Sequence, residues 1–286
     1  MYQPDLVMGA VAYAPKVVTI WEGFKAWFHE RDLNFDYILY SNYEAQVEAQ
    51  FDGSIHIAWN SPLAWVRADR LARSRGQSVQ AVAMRDTDRD LRSVIVTRAD
   101  GPVQSVLDLR DRTVGVGAID SPQATLIPLH HVRAADLVDG RDFEVRRFDA
   151  FGCKHGDHIG GERDAALALL RGEIDAACMI DGNLLAFGLD GTLPAGSVRV
   201  ISQTKPYDHC NFTTSPDAPG YAISQFVDLL LSMRWDDPQV RPLLELEGLK
   251  QWLPGRTSGY AALERAVDEE NFYGPDGSIR SADYRY

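Results

Sequence analysis

The residues best equipped for chemistry crowd into one stretch, "FGCKHGDHIGGERDAALALL", residues 151–170. Cys153, His155, Asp157, His158 and Glu162 put a thiol, two imidazoles and two carboxylates ahead of an apolar run. Three chemistries are open to this set. The first is metal binding. His155, His158 and Glu162, joined by His209 or Cys210 from "YDHCNF", are residue types that suit zinc. Their H-x2-H-x3-E spacing matches no standard zinc signature and a Gly pair interrupts it, so metal ranks below hydrogen bonding, and no cofactor is expected. The second is catalysis. His155 or His158 would serve as general acid or base near neutral pH, with Cys210 as a thiol, but no acid–base–nucleophile set has recognisable spacing. The third is anion contact at a helix start. Glu162 suits the positive end of a helix, whereas Arg163 needs a negative partner: a ligand anion, Asp157 or Asp181.

The remaining histidines and cysteines read more plainly. His56 sits in a strand-like run, where a satisfied core histidine is expected, and His130 and His131 carry no assignment. Cys178 lies in an Ala-rich strand as a small buried hydrophobe. Cys210 neighbours His209 in a polar loop; adjacent residues on extended chain point to opposite sides, which favours a structural thiol. Three cysteines in 286 residues make no disulfide framework.

Composition bounds the partners. The chain is 45% hydrophobic and 24% charged, with a net charge of −12, an ordinary balance for one large or two medium domains. No basic stripe is visible, which excludes strong non-specific nucleic-acid binding. No run reaches the roughly 18 apolar residues of a membrane span. The start, "MYQPDLVMGAVAY", has no basic segment, apolar h-region or lipobox cysteine. The location is therefore periplasmic or otherwise extracytoplasmic if a signal was removed, and cytoplasmic if Met1 is the true start.

The elements that must position these residues alternate. "LVMGAVAY", "FDYILY" and "SIHIAW" read as strands, separated by a helix carrying Val17, Ile20, Trp21, Phe24 and Phe28, and by one opened at "SNYE" with Ser41 and Glu44 in capping-box register. A second βαβαβ unit follows, with strands at "RSVIVT", near Ala118, at "FEVRRF", "EIDAACMI" and "SVRVISQT". "FDGSIHIAWNSP" and "LRGEIDAACMIDGN" resemble each other at equivalent places, so two similar Rossmann-like α/β lobes are expected, with parallel sheets covered by helices. After Thr204 the chain turns polar through "KPYDHCNFTTSPDAPG" and then forms helices that return to the first lobe. The expected division is 1–91 with 205–286 as lobe 1 and 92–204 as lobe 2, with a hinge near residues 92 and 204.

In such sheets ligands sit beyond the carboxyl ends of strands. Two junctions look alike: "IAWNSPLAW", with Asn60, Ser61 and Pro62, and "GVGAIDSPQATLIP", with Asp120, Ser121 and Pro122. Pro is favoured at the first helical position, and Ser or Asn before it caps the helix while the dipole favours an anion.

"YAPKVV", "GSIHIAWNSPLAW", "DSPQATLIPL" and "GERDAALALLRGEIDAA", in this order, resemble the phosphate/phosphite/phosphonate substrate-binding proteins of ABC transporters over roughly residues 5–205. The resemblance implies the type 2 periplasmic-binding fold, an interlobe ligand cleft and a permease partner. In that family the second-lobe helix start is rich in Ser and Thr. Here Ser121 is followed by Pro122 and Gln123, and Arg163 stands where His often precedes Asp-Ala-Ala, which suits a carboxylate or a larger anion as well. The expected function is binding of a small phosphonate-, phosphate- or carboxylate-like anion. Asn60 and Ser61 would hold it from one lobe and Ser121, Gln123, Thr125 and Arg163 from the other. Tyr13 and Tyr43 would wall the site, and His155, His158, Asp181 and Asn183 would complete it. The alternative is a cytoplasmic enzyme on the same scaffold using His155, His158 and Cys210; a ligand sensor is a third reading.

Overall fold

Strand-forming runs such as "LVMGAV" and "IAWN" are buried along almost their whole length, the pattern of strands covered on both faces. The computed structural model of the protein describes residues 4–149, 154–156 and 160–286. In chain order, β1 (Leu6–Val11), α1 (Lys16–His29), β2 (Phe35–Tyr40), α2 (Tyr43–Asp52), β3 (Ile57–Asn60), α3 (Pro62–Ser74) and β4 (Ala81–Arg85) come first. Next are β5 (Ser93–Arg98), β6 (Thr113–Val116), α4 (Ile127–Arg133), β7 (Glu144–Arg147), α5 (Gly160–Leu170), β8 (Ala176–Ile180), α6 (Asp181–Leu189) and β9 (Val198–Gln203). The chain ends through β10 (Asn211–Thr214), α7 (Gly220–Ser232), α8 (Arg241–Glu247), β11 (Trp252–Pro254) and α9 (Ala261–Glu269).

The chain divides into two compact units: Met1–Arg89, Asp208–Tyr260 and Tyr273–Ile279 in the first, Asp90–Tyr207, Ala261–Phe272 and Arg280–Tyr286 in the second. The first holds a six-stranded sheet, β11-β4-β10-β3-β1-β2, around an aromatic core. Trp59, Phe212, Phe226 and Trp252 meet there with ring centroids 4.7–5.7 Å apart across the pairs Trp59–Phe212, Trp59–Trp252 and Phe212–Phe226. The second holds a five-stranded sheet, β7-β6-β8-β5-β9, with aliphatic cores on its two faces.

Four expectations are corrected. The sheets are mixed rather than parallel: β10 runs antiparallel to β3 and β4, and β5 antiparallel to β8 and β9. The strand β10 lies inside a segment whose polarity reads as loop. Its polar groups are satisfied internally, Thr213 donating to Asn211 Oδ1 at 2.7 Å and Asn211 Nδ2 to the Tyr260 hydroxyl at 2.8 Å. The cap of α2 is Asn42, which accepts from Ala45 N–H at 2.7 Å, and not Ser41. Residues 261–272 and 280–286 group with the second unit: α9 buries Leu263, Ala266 and Val267 against it, and Arg133 bridges Asp139 and Glu270. Among the described residues no helix is long and apolar enough to cross a membrane.

Candidate functional site

In the first unit β3 ends at Asn60 and α3 starts with Ser61-Pro62-Leu63-Ala64. The Ser61 hydroxyl accepts from Ala64 N–H at 3.1 Å, and Pro62 has no N–H to satisfy. In the second unit Ser121-Pro122-Gln123-Ala124 does the same after β6, with Ser121 accepting from Ala124 N–H at 3.2 Å. The turn that follows, Pro122–Leu126, is wound as a π-helix before α4 begins. Leu126 N–H reaches Ser121 O and Ile127 N–H reaches Pro122 O, one residue wider than an α-helix. Pro128 lacks the N–H that a tight helix would use there. Each start combines a Ser hydroxyl with the positive end of a helix.

The Gly-rich stretch folds onto the second of these starts. Gly156 has φ +74°, a conformation glycine adopts freely, and a Cβ there would collide with Ser121 Oγ and Gln123 Nε2. Gln123 Nε2 donates to Gly156 O at 2.6 Å, and the buried His155 donates its backbone N–H to Asp120 Oδ2 at 3.1 Å. Asp120 therefore holds the His155 turn in place, while Ser121 does the capping. Thr125 is committed as well, its hydroxyl donating to Ala118 O at 2.7 Å. His158, Cys153 and Asp157 lie outside the described residues.

Arg163 finds its negative partner within the unit. Its guanidinium pairs with Asp190 at 2.8 Å, bonds the Thr192 hydroxyl and lies over the Phe187 ring at 4.7 Å from the centroid. Bonds from Thr192, then Arg163, hold the Asp190 carboxyl down at about 2. Asp190 is within reach because α5 sets Arg163 beside the end of α6. Glu162 is also committed: its Oε2 accepts from Ile180 N–H at 3.1 Å and from Asn183 Nδ2 at 2.7 Å. Asp181 Oδ1 accepts from the adjacent Gly182 N–H at 2.8 Å.

In the first unit Asn60 is fully buried. It accepts from Gln46 Nε2 at 2.8 Å and donates to Gln50 Oε1 at 3.0 Å, tying α2 to β3 just before Ser61. Tyr43, in the first turn of α2, is also buried, whereas Tyr13 is partly exposed with Lys16 5.8 Å from its ring centroid.

Sequence reasoning missed one cluster of the first unit. His209 Nδ1 lies 3.1 Å from Cys210 Sγ and 3.6 Å from Asp88 Oδ1, although neighbouring side chains were expected to diverge. The ring turns back because His209 N–H is held by Asp88 O at 2.8 Å, which fixes the backbone beside the 3-10 turn Asp86–Asp88. The three donor atoms lie within 4.8 Å of one another. Arg85 bonds both Asp88 oxygens, at 2.5 and 2.9 Å, and so already supplies the positive charge there. Burial pushes the Asp88 carboxyl up, but the charge of Arg85 and the bonds from His209 and Arg85 outweigh it and hold it at about 2. His209 thus stands with Asp88 and Cys210 within the first unit. The only sequence signal was the pairing of "DTD" with "DHC" near the two crossings.

The family model for the periplasmic substrate-binding protein of phosphonate ABC transporters matches residues 10–260. Among solved structures, PhnD1 from Prochlorococcus marinus in complex with methylphosphonate is 18% identical, covers 93% of this chain and 98% of its own, and superposes with a TM-score of 0.68. A Xanthomonas citri protein bound to ATP is 14% identical over 92% of this chain and 97% of its own, with a TM-score of 0.71. The periplasmic aliphatic sulphonate-binding protein SsuA from Escherichia coli is 17% identical over 94% and 87%, with a TM-score of 0.58.

Proposed function

The chain belongs to the family of periplasmic substrate-binding proteins of phosphonate ABC transporters, and from that premise we propose that its ligand is a small tetrahedral oxyanion of the phosphonate, phosphate or sulfonate type. One observation carries this reading. The donors at the two Ser-capped helix starts are neutral hydroxyls and amides, while Arg163 is already committed to Asp190. Neutral donors at a helix start suit an anion with several oxygens spread in space; a planar carboxylate is better served by a free guanidinium. In this reading Ser121 donates to a ligand oxygen, and the side chain of Gln123, together with the His155–Gly156 turn, shapes its surroundings. Asn60 and Thr125 position their starts. Asn183 and Asp181 support Glu162 and α6. The protein would act outside the cytoplasm and hand its ligand to an ABC permease.

A thermal-shift panel of methylphosphonate, ethanesulfonate, phosphate and acetate tests it. A true ligand raises stability by RT ln(1 + [L]/Kd), about 2.7 kcal/mol at a hundredfold excess over Kd. The tetrahedral anions are expected to shift the melting transition and acetate to leave it in place. A shift by acetate alone would contradict the assignment.

One observation favours a second reading, an enzyme on this scaffold. The contact of His209 with Cys210, backed by Asp88, has the composition of an imidazole-activated thiol. In that case Cys210 rather than His155 or His158 would be the reacting group. Selective alkylation of Cys210 by iodoacetamide in the native protein, abolished by His209→Asn, would support it; an inert thiol would remove it.

A further inference from the structure

We propose that the second unit carries a separate binding site for a small anion with an apolar body, of the short-chain carboxylate class. A cavity of about 540 Å³ opens among α4, α9 and the end of β9, all within that unit. Its size falls in the range of small-molecule sites. Part of its lining is apolar: Val106, Ile127, Ala134, Ala135 and Ala262. Another part is cationic: Arg92, Lys205 and Arg265. None of the three is ion-paired to a carboxylate among the described residues, in a chain with 41 acidic and 29 basic residues. Two acids at the end of α9 are engaged elsewhere: Glu269 with His130 and Arg133, Glu270 with Arg133.

The interior adds hydrogen bonding without charge. His131 meets Ser202 Oγ at 2.7 Å, and burial, helped by its neighbour His130, lowers its pKa and favours the neutral ring. Arg92 donates one N–H to Thr204 O at 2.9 Å, and a guanidinium has five to give. Apolar lining beside cationic side chains suits an acyl chain joined to a carboxylate, since the chain leaves water while the charge keeps polar partners. Ser121, Gln123 and His155 are not among the residues that line this cavity, so it stands apart from the oxyanion contacts proposed above.

Calorimetric titration of the full chain with hexanoate, acetate and methylphosphonate tests the site. Hexanoate is expected to bind one to one and saturably, and acetate at least about tenfold more weakly because it lacks the apolar body. The double variant Lys205→Glu/Arg265→Glu, at two exposed positions, and the cavity-filling Ala135→Phe should each weaken hexanoate by about tenfold or more. Both should leave the methylphosphonate titration unchanged. Absence of saturable hexanoate binding, binding that survives both variants, or acetate binding as tight as hexanoate would overturn the proposal.

Discussion

In the first unit the succession β2-β1-β3-β10-β4 corresponds strand for strand to β7-β6-β8-β5-β9 in the second. In each, three parallel strands are followed by an antiparallel one that the chain supplies at a crossing: β5 after the first, β10 after the second. What the units place on this frame differs. In the first, the helix after the third parallel strand is Ser-capped, and the one after the first strand starts at Pro15 with no side-chain cap. In the second, the reverse holds: Ser121 caps the start after the first strand, and α6 after the third has no side-chain cap. The two Ser-Pro-x-Ala motifs therefore open non-equivalent helices, and their likeness is chemical rather than a trace of the repeat. The frame sets where helices begin; three or four local residues set what each beginning can bind.

The cores differ in the same spirit. The first is built from interlocked rings, in a unit that contains all six tryptophans, whereas the second is mostly aliphatic. Tryptophan fluorescence thus reports on the first unit and far-ultraviolet dichroism on both. Phe212→Ala should destabilise the first unit by about 3–5 kcal/mol, shifting the fluorescence transition in urea. Leu129→Ala should cost the second about 2–5 kcal/mol and appear in the dichroism while the fluorescence midpoint stays within error. Equal movement of both signals in both variants would break the comparison.

A smaller effect is tied to acid. The Asp88 carboxyl is held at about 2, below its ordinary 3.8, so its contribution is present above about pH 4 and lost as pH falls toward 2. The contribution is on the order of 2 kcal/mol. Urea melts by fluorescence at pH 5 and pH 2.5 should show wild type losing more stability than Asp88→Asn; parallel losses would mean that Arg85 does not depress this group. Next in size, Ser61→Ala should lower unfolding stability by about 1 kcal/mol through the lost cap, seen in the fluorescence transition, whereas Ser61→Asn should largely preserve it. The smallest change is expected at Arg163. Its pair with Asp190 is partly exposed, so Arg163→Ala should cost less than about 1 kcal/mol and leave oxyanion affinity within about twofold. A large loss of affinity would return Arg163 to the ligand.

Much of this was legible in the residues. Apolar runs, helical spacing and the repeated Gly-x-Ile-x-x-Ala pattern showed two α/β units, because burial imposes period on sequence. The polar strand β10 was hidden for the opposite reason: Asn211 and Thr213 are satisfied by partners distant in the chain, which no local pattern shows. The partner of Arg163 was hidden likewise, since Asp190 lies a helix away. Residue types alone could name Ser61 and Ser121 as caps, but not that Gly156 would close on one of them.

The most direct measurement is the methylphosphonate dissociation constant of Ser121→Ala beside wild type, by calorimetry at fixed ionic strength. The loss of one hydroxyl donor to a charged oxygen should weaken binding by about tenfold or more, with the unfolding transition shifted by only about 1 kcal/mol. An unchanged dissociation constant in a folded variant would contradict the placement of the oxyanion at this helix start.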